Sequence, residues 1–347
     1  MPAGLRAVAD LDTESRLVLA RRVVDDLART EPVVAALVVG STALRRCSPR
    51  ADLDVVVITP SSPDGDRFTS LPLDGVRVEV ERLSQREALD ATVGTGWVWE
   101  LRAAARIGCG VPVVDPDGFA AQLARRAAAM TPDPERVEAT LRRVYLLLVE
   151  LAAPGGEPAR RLDAVRGCFD NLALLALLER PRRYQKAKWV LADLLHAGED
   201  ALVDALLAAY GVAADDAAPA HDAVTGARAL LGAVYEMSGV PSHEEILARG
   251  HAPELAEASY VSRCLDDAED LAASGRFVEA QYVAKFSARL GAALLGDDGA
   301  IVDVLAGRGL ADRYLALFPE GPGPATELIE AALAAADARR RPSAVTA

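Results

Sequence analysis

The sequence predicts an α+β protein: an N-terminal domain with a mixed sheet flanked by helices, followed by an all-helical C-terminal domain. Two observations support this prediction. Apolar runs of strand length fall within about the first 130 residues, and from Asp133 onward apolar residues recur at helical spacing. A chain of 347 residues suits two domains at about 150 residues each. The predicted limits are residues 1–130, residues 131–338 and a disordered tail at 339–347.

The elements of the first domain follow from its apolar patterns. An amphipathic helix is predicted over residues 12–29, where apolar residues lie at helical spacing between charges. Two nearly continuous apolar runs and one strictly alternating run predict three strands, at residues 33–39, 53–58 and 76–81. A helix at 101–107, a strand at 111–114 and a helix after the turn at 115–118 complete the domain.

The second domain is predicted from helix-start residues and spacing. Asp133 is a good N-cap and Pro134 suits the first helical position, so a helix is predicted to follow and to run to residue 151. Further helices are predicted at residues 159–179, 184–195, 201–209, 223–237, 253–273, 277–295 and 325–338.

Composition excludes several classes of protein. Acidic residues exceed basic residues by 51 − 38 = 13, and a net charge of −13 disfavours general binding to nucleic acid. The four cysteines show no C-x-x-C spacing, and the N-terminus lacks a signal-peptide pattern, so we expect a cytoplasmic protein. No apolar stretch reaches the roughly 18 residues of a membrane span, so no membrane partner is expected.

The chemistry is predicted around the first two strands. The first ends in Gly40-Ser41, where a missing side chain lets a phosphate approach the backbone and the hydroxyl and N–H groups can hold its oxygens. Asp52 and Asp54 begin the second strand. Because side chains two apart on a strand point the same way, the two carboxylates can converge on one Mg²⁺ ion, whose shell substrate phosphates commonly complete.

A third carboxylate is needed if two cations are to clamp an in-line displacement at phosphorus. The third strand offers Glu79 and Glu81 on one face, opposite a face of valines. Glu79 is favoured because it lies in the middle of the strand, but Glu81 remains open. So does the role of the third carboxylate, as metal ligand or as base, although a carboxylate beside cations stays ionised and suits the ligand role.

These residues resemble the nucleotidyltransferase superfamily, which includes the antibiotic nucleotidyltransferases, DNA polymerase beta and the minimal nucleotidyltransferases. The shared pattern is an apolar strand, Gly-Ser, about ten residues, Asp-x-Asp on a strand and a later carboxylate. The residues that fall on it are Gly40, Ser41, Ala43, Arg45, Asp52, Asp54 and Glu79. Two departures are Ala51, where the family often has Ser, and Leu44-Arg45 in place of Arg-Gly.

The resemblance implies a function. It implies a transferase that uses Mg²⁺, with two ions expected, and moves a nucleoside monophosphate from a nucleoside triphosphate to an acceptor, with release of pyrophosphate. The expected phosphate contacts are Gly40, Ser41 and Arg45. The expected acceptor is a small molecule, either aminoglycoside-like, which the net charge of −13 would attract, or a biosynthetic intermediate. The alternatives are an enzyme that nucleotidylates proteins and a non-catalytic nucleotide-binding module; the donor base stays open.

A basic cluster near residue 184 adds candidate phosphate ligands. Lysine is scarce in this chain, yet Lys186 and Lys188 fall near a predicted helix start together with three arginines. Basic side chains at a helix start are unfavourable unless an anion binds there. Several relatives carry a similar basic helix, so Lys186 and Lys188 are predicted to contact the triphosphate. The alternative is a solvated basic face paired with surface acids.

Overall fold

The protein is a mixed α+β structure, as the sequence predicts. The structure is a computed structural model and describes residues 13–47, 51–62, 66–152, 157–178, 180, 186–212, 215–236, 258–293, 295, 301–318 and 325–340. The chain divides into two compact units. The sheet unit comprises Ala7–Asp133 and Leu178–Gln185, and the helical unit comprises Met1–Arg6, Pro134–Leu177 and Lys186–Ala347.

The sheet unit contains seven strands and five helices among the residues described. The strands are β1 Ala35–Val39, β2 Leu53–Thr59, β3 Phe68–Leu73, β4 Val76–Ser84, β5 Thr95–Gly96, β6 Val111–Val114 and β7 Thr131–Pro132. The helices are α1 Thr13–Leu27, α2 Gly40–Ala43, α3 Gln85–Asp90, α4 Val98–Gly108 and α5 Phe119–Ala129.

Five strands form the main sheet in the order β3-β4-β2-β1-β6. β2 and β4 are parallel, whereas β1 runs antiparallel to both β2 and β6, and β3 pairs antiparallel with β4. β5 and β7 form a separate two-stranded parallel pair. The central strand β2 is therefore covered by hydrogen-bonded neighbours on both edges.

Both faces of the sheet are packed, which explains the nearly continuous apolar runs of β1 and β2. On one face, Val23 and Val24 of α1 pack against Val38, Val55 and Val57. The other face packs against α3, α4 and α5; its core residues include Leu37, Val39, Val56, Ile58, Ala88, Ile107 and Leu123. Alternate residues of β2 therefore belong to opposite cores.

Five elements of this unit were not predicted: the short helix α2, the two-residue strands β5 and β7, and the elements β3 and α3. β3 is an edge strand that is largely exposed and contains Pro72, so it lacks the alternation that marks a half-buried strand. α3 begins after a capping box, in which the Ser84 hydroxyl accepts from the backbone N–H of Glu87 and the Glu87 carboxylate accepts from the N–H of Ser84. The Ser84 hydroxyl also donates to the Glu87 carboxylate at 2.6 Å, and this bond, together with the one from the Ser84 N–H, lowers the pKa of Glu87.

The described part of the helical unit consists of helices and contains no strand. They are α6 Pro134–Ala152, α7 Pro158–Leu178 (whose last residue belongs to the sheet unit), a short 3₁₀ helix at Ala187–Trp189, α8 Val190–His196, α9 Asp200–Ala209, α10 Ala217–Glu236, α11 Ala258–Ala273, α12 Phe277–Ala293, α13 Ile301–Ala306, α14 Ala311–Leu317 and α15 Ala325–Arg340. Among all the described helices, none is long and apolar enough to span a bilayer.

Three sequence predictions for this unit need correction. The segment predicted as one helix at 184–195 holds a 3₁₀ turn and then α8, and residues 184 and 185 lie outside the described part. α13 and α14 were not predicted, because six or seven residues are too short to show helical spacing. Residues 339 and 340, predicted to lie in the tail, continue α15, and Arg339 lies 3.0 Å from Glu199, while residues 341–347 lie outside the described part.

The core of the helical unit contains buried ion pairs. Arg289 lies 2.8 Å from Asp170 through Nη1 and 3.4 Å from Asp163 through Nε. The hydroxyl of Tyr314 donates to Asp163, and that of Tyr210 donates to Asp170 at 2.8 Å. Burial raises the pKa of both tyrosines. These contacts join helices that are distant in sequence.

Lys285 is buried beside this network. Its ammonium group donates to the backbone carbonyls of Tyr210 at 3.1 Å and Gly211 at 2.7 Å. Burial, with a smaller contribution from the positive charge of Arg166, lowers the pKa of Lys285 to about 8. The charged form of this lysine is therefore costly in the folded protein.

Candidate active site

Three carboxylates meet where β1 ends and β2 and β4 run side by side. In the sheet register Asp54 lies opposite Val39 on one side and Glu79 on the other. Carboxylate oxygens of Asp52, Asp54 and Glu79 lie within 4.8 Å of one another, and all three residues are half-buried. We refer to these three residues as the acidic trio. Leu53, between the two aspartates, is fully buried in the opposite core.

The donor set of the acidic trio fits a hard cation. Mg²⁺ prefers oxygen ligands at about 2.1 Å in octahedral geometry, which places ligand oxygens about 3 to 4 Å apart. The spacing within the trio is close to that, so small side-chain rotations would bring the oxygens onto one ion. Carboxylates packed this closely also repel one another in the absence of a cation.

Gly40 leaves room for the trio at the end of β1. Its φ is +66°, and a Cβ built on it would lie 2.2 Å from Oδ2 of Asp54. Any side chain would therefore both strain the backbone and displace that carboxylate. The sequence identified this glycine from its place after an apolar strand; the structure adds that its open side faces Asp54.

Hydrogen bonds between residues close in sequence stabilise the segment after Gly40. Ser41 is buried, and its carbonyl accepts from the backbone N–H of Arg46 at 2.8 Å. The thiol of Cys47 donates to the hydroxyl of Thr42 at 3.3 Å. Phosphate binding by Gly40 and Ser41 stays a prediction.

Arg77 contacts the acidic trio and was not among the site residues predicted from the sequence. Its Nη2 donates to Oδ2 of Asp52 at 3.1 Å and lies 3.2 Å from Oε1 of Glu79. The hydrogen bond to Asp52 raises the pKa of the guanidinium, and the charges of the trio add to it. The sequence does indicate that Arg77 lies near Glu79, because the two residues are two apart on an alternating strand and so share one face.

Arg16 is a second missed residue. It is a buried arginine of α1 whose Nη1 donates to the carbonyls of Ala51 at 2.6 Å and Asp52 at 3.1 Å. These bonds fix the backbone that leads into the trio. Because the contact spans 35 residues of sequence, the helical pattern of α1 gives no sign of it.

Glu81, the alternative third acid, lies elsewhere on the same face. It is buried, and its carboxylate accepts from Arg67 at 3.0 Å and from Arg106 of α4. The register pairs it with Val56 rather than with an aspartate. Of the two candidates, the structure therefore places Glu79 beside Asp52 and Asp54.

Two of the three remaining predicted phosphate ligands, Arg45 and Lys188, form ion pairs. Arg45 has a positive φ of 54° and an exposed side chain, and its Nη2 lies 3.4 Å from Glu14. In the helical unit Lys188 is paired with Asp267 and lies 5.5 Å from the ring of Trp189. Lys186 is half-buried and immediately precedes the 3₁₀ helix. Phosphate binding by these three residues is not tested by the contacts and stays a prediction.

Comparison with known proteins does not assign this chain to a family. Neither the protein families nor the curated proteins compared contain a match to this sequence. Among solved structures, the chain is similar to a nucleotidyltransferase-like protein from Exiguobacterium sibiricum 255-15, with 13% identity and a TM-score of 0.30 over 85% of this chain and 92% of the other. A TM-score this low does not establish a shared fold, and no conclusion about function follows from it.

Proposed function

We propose that this protein is a Mg²⁺-dependent nucleotidyltransferase that moves a nucleoside monophosphate from a nucleoside triphosphate to a small-molecule acceptor. The observation that supports the proposal most is the acidic trio, whose carboxylate oxygens lie within 4.8 Å of one another. The close approach of Gly40 to Asp54 is the second support, because only a residue without a side chain leaves that carboxylate its place beside the backbone at the end of β1.

In this proposal each residue has a defined task. Asp52, Asp54 and Glu79 hold the cations, and Gly40 and Ser41 bind the terminal phosphates of the donor. When bound, Mg²⁺ would neutralise charge developing on the α-phosphate and on the leaving pyrophosphate. Arg16 keeps the backbone of Asp52 in place through its two hydrogen bonds.

The proposed reaction is a single displacement at phosphorus. An acceptor hydroxyl oxygen forms a bond to the α-phosphorus while the bond from that phosphorus to the bridging oxygen of pyrophosphate breaks, and pyrophosphate leaves with the bonding electrons. The hydroxyl proton goes to Glu79, if that carboxylate acts as base, or to solvent. The ligand role is favoured for Glu79 because a carboxylate beside cations stays ionised.

The acceptor class is proposed from charge. A net charge of −13 attracts cationic molecules and accelerates their encounter with the surface, which suits an aminoglycoside-like acceptor. A neutral biosynthetic intermediate is the other candidate. No described contact specifically favours nucleotidylation of a protein or a non-catalytic role.

Thermal unfolding with each of four nucleoside triphosphates, with and without Mg²⁺, tests the proposal. A ligand at about 100 times its dissociation constant stabilises the protein by about 2.7 kcal/mol. We expect a Mg²⁺-dependent rise in Tm with the donor in the wild type and none in Asp52→Asn/Asp54→Asn. The control Asp25→Asn/Asp26→Asn removes the same charge from the exposed side of α1 and should keep the shift.

Two results would count against the proposal. If no nucleotide changes the Tm of the wild type, the protein has no nucleotide site. A shift in wild type and the double variant alike would mean that a nucleotide binds without the aspartates. A shift without transfer to any small molecule would leave the protein-nucleotidylating and non-catalytic alternatives.

A further inference from the structure

One nitrogen atom bridges two members of the acidic trio. Nη2 of Arg77 is 3.1 Å from Oδ2 of Asp52 and 3.2 Å from Oε1 of Glu79. Asp52 immediately precedes β2 and Glu79 lies on the neighbouring strand β4, and the contact offsets the mutual repulsion of the two carboxylates when no metal is bound. Arg77 thereby keeps the site assembled in the metal-free protein.

The same position is unfavourable once a divalent cation binds. An ion about 2.1 Å from Oδ2 of Asp52 would lie no more than about 5 Å from Nη2 of Arg77, given the 3.1 Å contact. At that separation the two positive charges repel strongly, since the site is partly shielded from water. Arg77 and a divalent cation therefore compete for the same carboxylates.

The side chain of Arg77 has room to move out of the site. Its side chain is 61% exposed, and its flexible stem lets the guanidinium move into solvent without opening a cavity in the core. By contrast, the carboxylate of Glu81, between Arg67 and Arg106, is only 8% exposed and is enclosed on the same face of the sheet. Of the two arrangements, only the one at the trio is open to exchange.

We propose that Arg77 is an internal counter-ion that holds Asp52 and Glu79 together in the metal-free protein, leaves them when a divalent cation binds, and so sets the cation concentration that the site requires. This inference rests on the metal site of the proposed function. It assigns to Arg77 a role in cation affinity that is separate from the chemistry of transfer.

Binding of Mn²⁺, followed by the electron paramagnetic resonance signal of the free ion, measures the competition. We expect Arg77→Gln to bind Mn²⁺ about three- to tenfold more tightly than the wild type, since two partly exposed ion pairs no longer oppose the metal. The matched control is Arg22→Gln, which removes the same charge from an ion pair with Asp74 of similar exposure. The affinity of this control should equal that of the wild type.

Thermal unfolding adds a readout that a purely structural arginine would not give. Without metal, Arg77→Gln should unfold about 1 to 3 °C below the wild type, because Asp52 and Glu79 then repel each other. With saturating Mg²⁺ the difference should vanish, because Arg77 has already left the carboxylates in the wild type. A structural role predicts the same deficit in both conditions.

The outcomes separate this inference from the proposed function. If the wild type binds Mn²⁺ and Arg77→Gln binds it with equal or lower affinity, the counter-ion role is overturned, but the proposed metal site is not. A stability deficit that persists at saturating Mg²⁺ would also overturn it. No binding of Mn²⁺ by either protein would overturn both the metal site and the role of Arg77.

Discussion

A methyl group on the Cα of Gly40 would lie 2.2 Å from Oδ2 of Asp54, well inside the van der Waals contact of the two atoms. The glycine follows β1, and the aspartate lies on β2 directly opposite Val39. The backbone turn and the position of the carboxylate are thus coupled: neither can change without moving the other.

Gly40→Ala should therefore impair the site more than the fold. The new methyl group pushes the Asp54 carboxylate away, and we expect affinity for Mn²⁺ to fall at least about tenfold, with about 1 kcal/mol of stability lost to the positive φ. The control is Gly75→Ala, which has a φ of +79° and no atom within 4 Å of the added Cβ. It should lose similar stability and keep metal affinity; equal loss of affinity in both variants would refute the coupling.

Glu79 and Glu81 offer a second matched pair, because they are two residues apart on one face of β4. Glu79→Gln removes a member of the acidic trio, so we expect at least about tenfold weaker binding of Mn²⁺ and a change in stability below about 0.5 kcal/mol. Glu81→Gln leaves Arg67 and Arg106 without their buried partner, so the free energy of unfolding should fall by about 1 to 2 kcal/mol.

Metal titration and urea unfolding of both glutamate variants check this prediction. We expect Glu79→Gln to lose metal affinity and Glu81→Gln to lose stability. If Glu81→Gln lost metal affinity as severely as Glu79→Gln while staying folded, the third ligand would be misassigned.

Lys285 should give the helical unit a specific dependence on pH. Burial lowers its pKa from 10.5 to about 8, so between these values the unfolded chain binds more protons than the folded protein. The cost of burying the charge is fully present below pH 8 and is relieved as pH rises, adding about 1 kcal/mol of stability between about pH 8 and 9.

Urea unfolding of the wild type and Lys285→Met at several pH values between 7 and 9 isolates this contribution. The stability of the wild type relative to the variant should rise over that range. The buried tyrosines Tyr210 and Tyr314 act in the opposite direction only near pH 10 and above, because burial raises their pKa. A parallel pH dependence in both proteins would mean that Lys285 titrates normally.

The strands around the trio could be predicted because their apolar patterns reflect how each strand is buried in the sheet. Continuous apolar residues in β1 and β2 reflect burial on both faces, and the alternation of β4 places Glu79 and Glu81 together. The choice of Glu79 rested on its place in the strand. The structure supplies different reasons: the register with Asp54 and the two arginines that neutralise Glu81.

Features that depend on distant contacts could not be predicted. The role of Arg16 arises from carbonyls some 35 residues away, and β3 exists as an edge partner of β4 although its own sequence is exposed and contains a proline. Arg77 was within reach, since it shares the face of Glu79. Its pairing with Asp52, however, depends on the register between two strands.

Titration of Mn²⁺ into the wild type, Asp54→Asn and Asp26→Asn shows whether Asp52, Asp54 and Glu79 bind a divalent cation. Asp26 is exposed on α1 and pairs with Arg29, so its variant controls for the loss of one negative charge. We expect saturable binding in the wild type and in Asp26→Asn, and affinity at least about tenfold weaker in Asp54→Asn. Equal affinities in all three proteins would contradict this expectation.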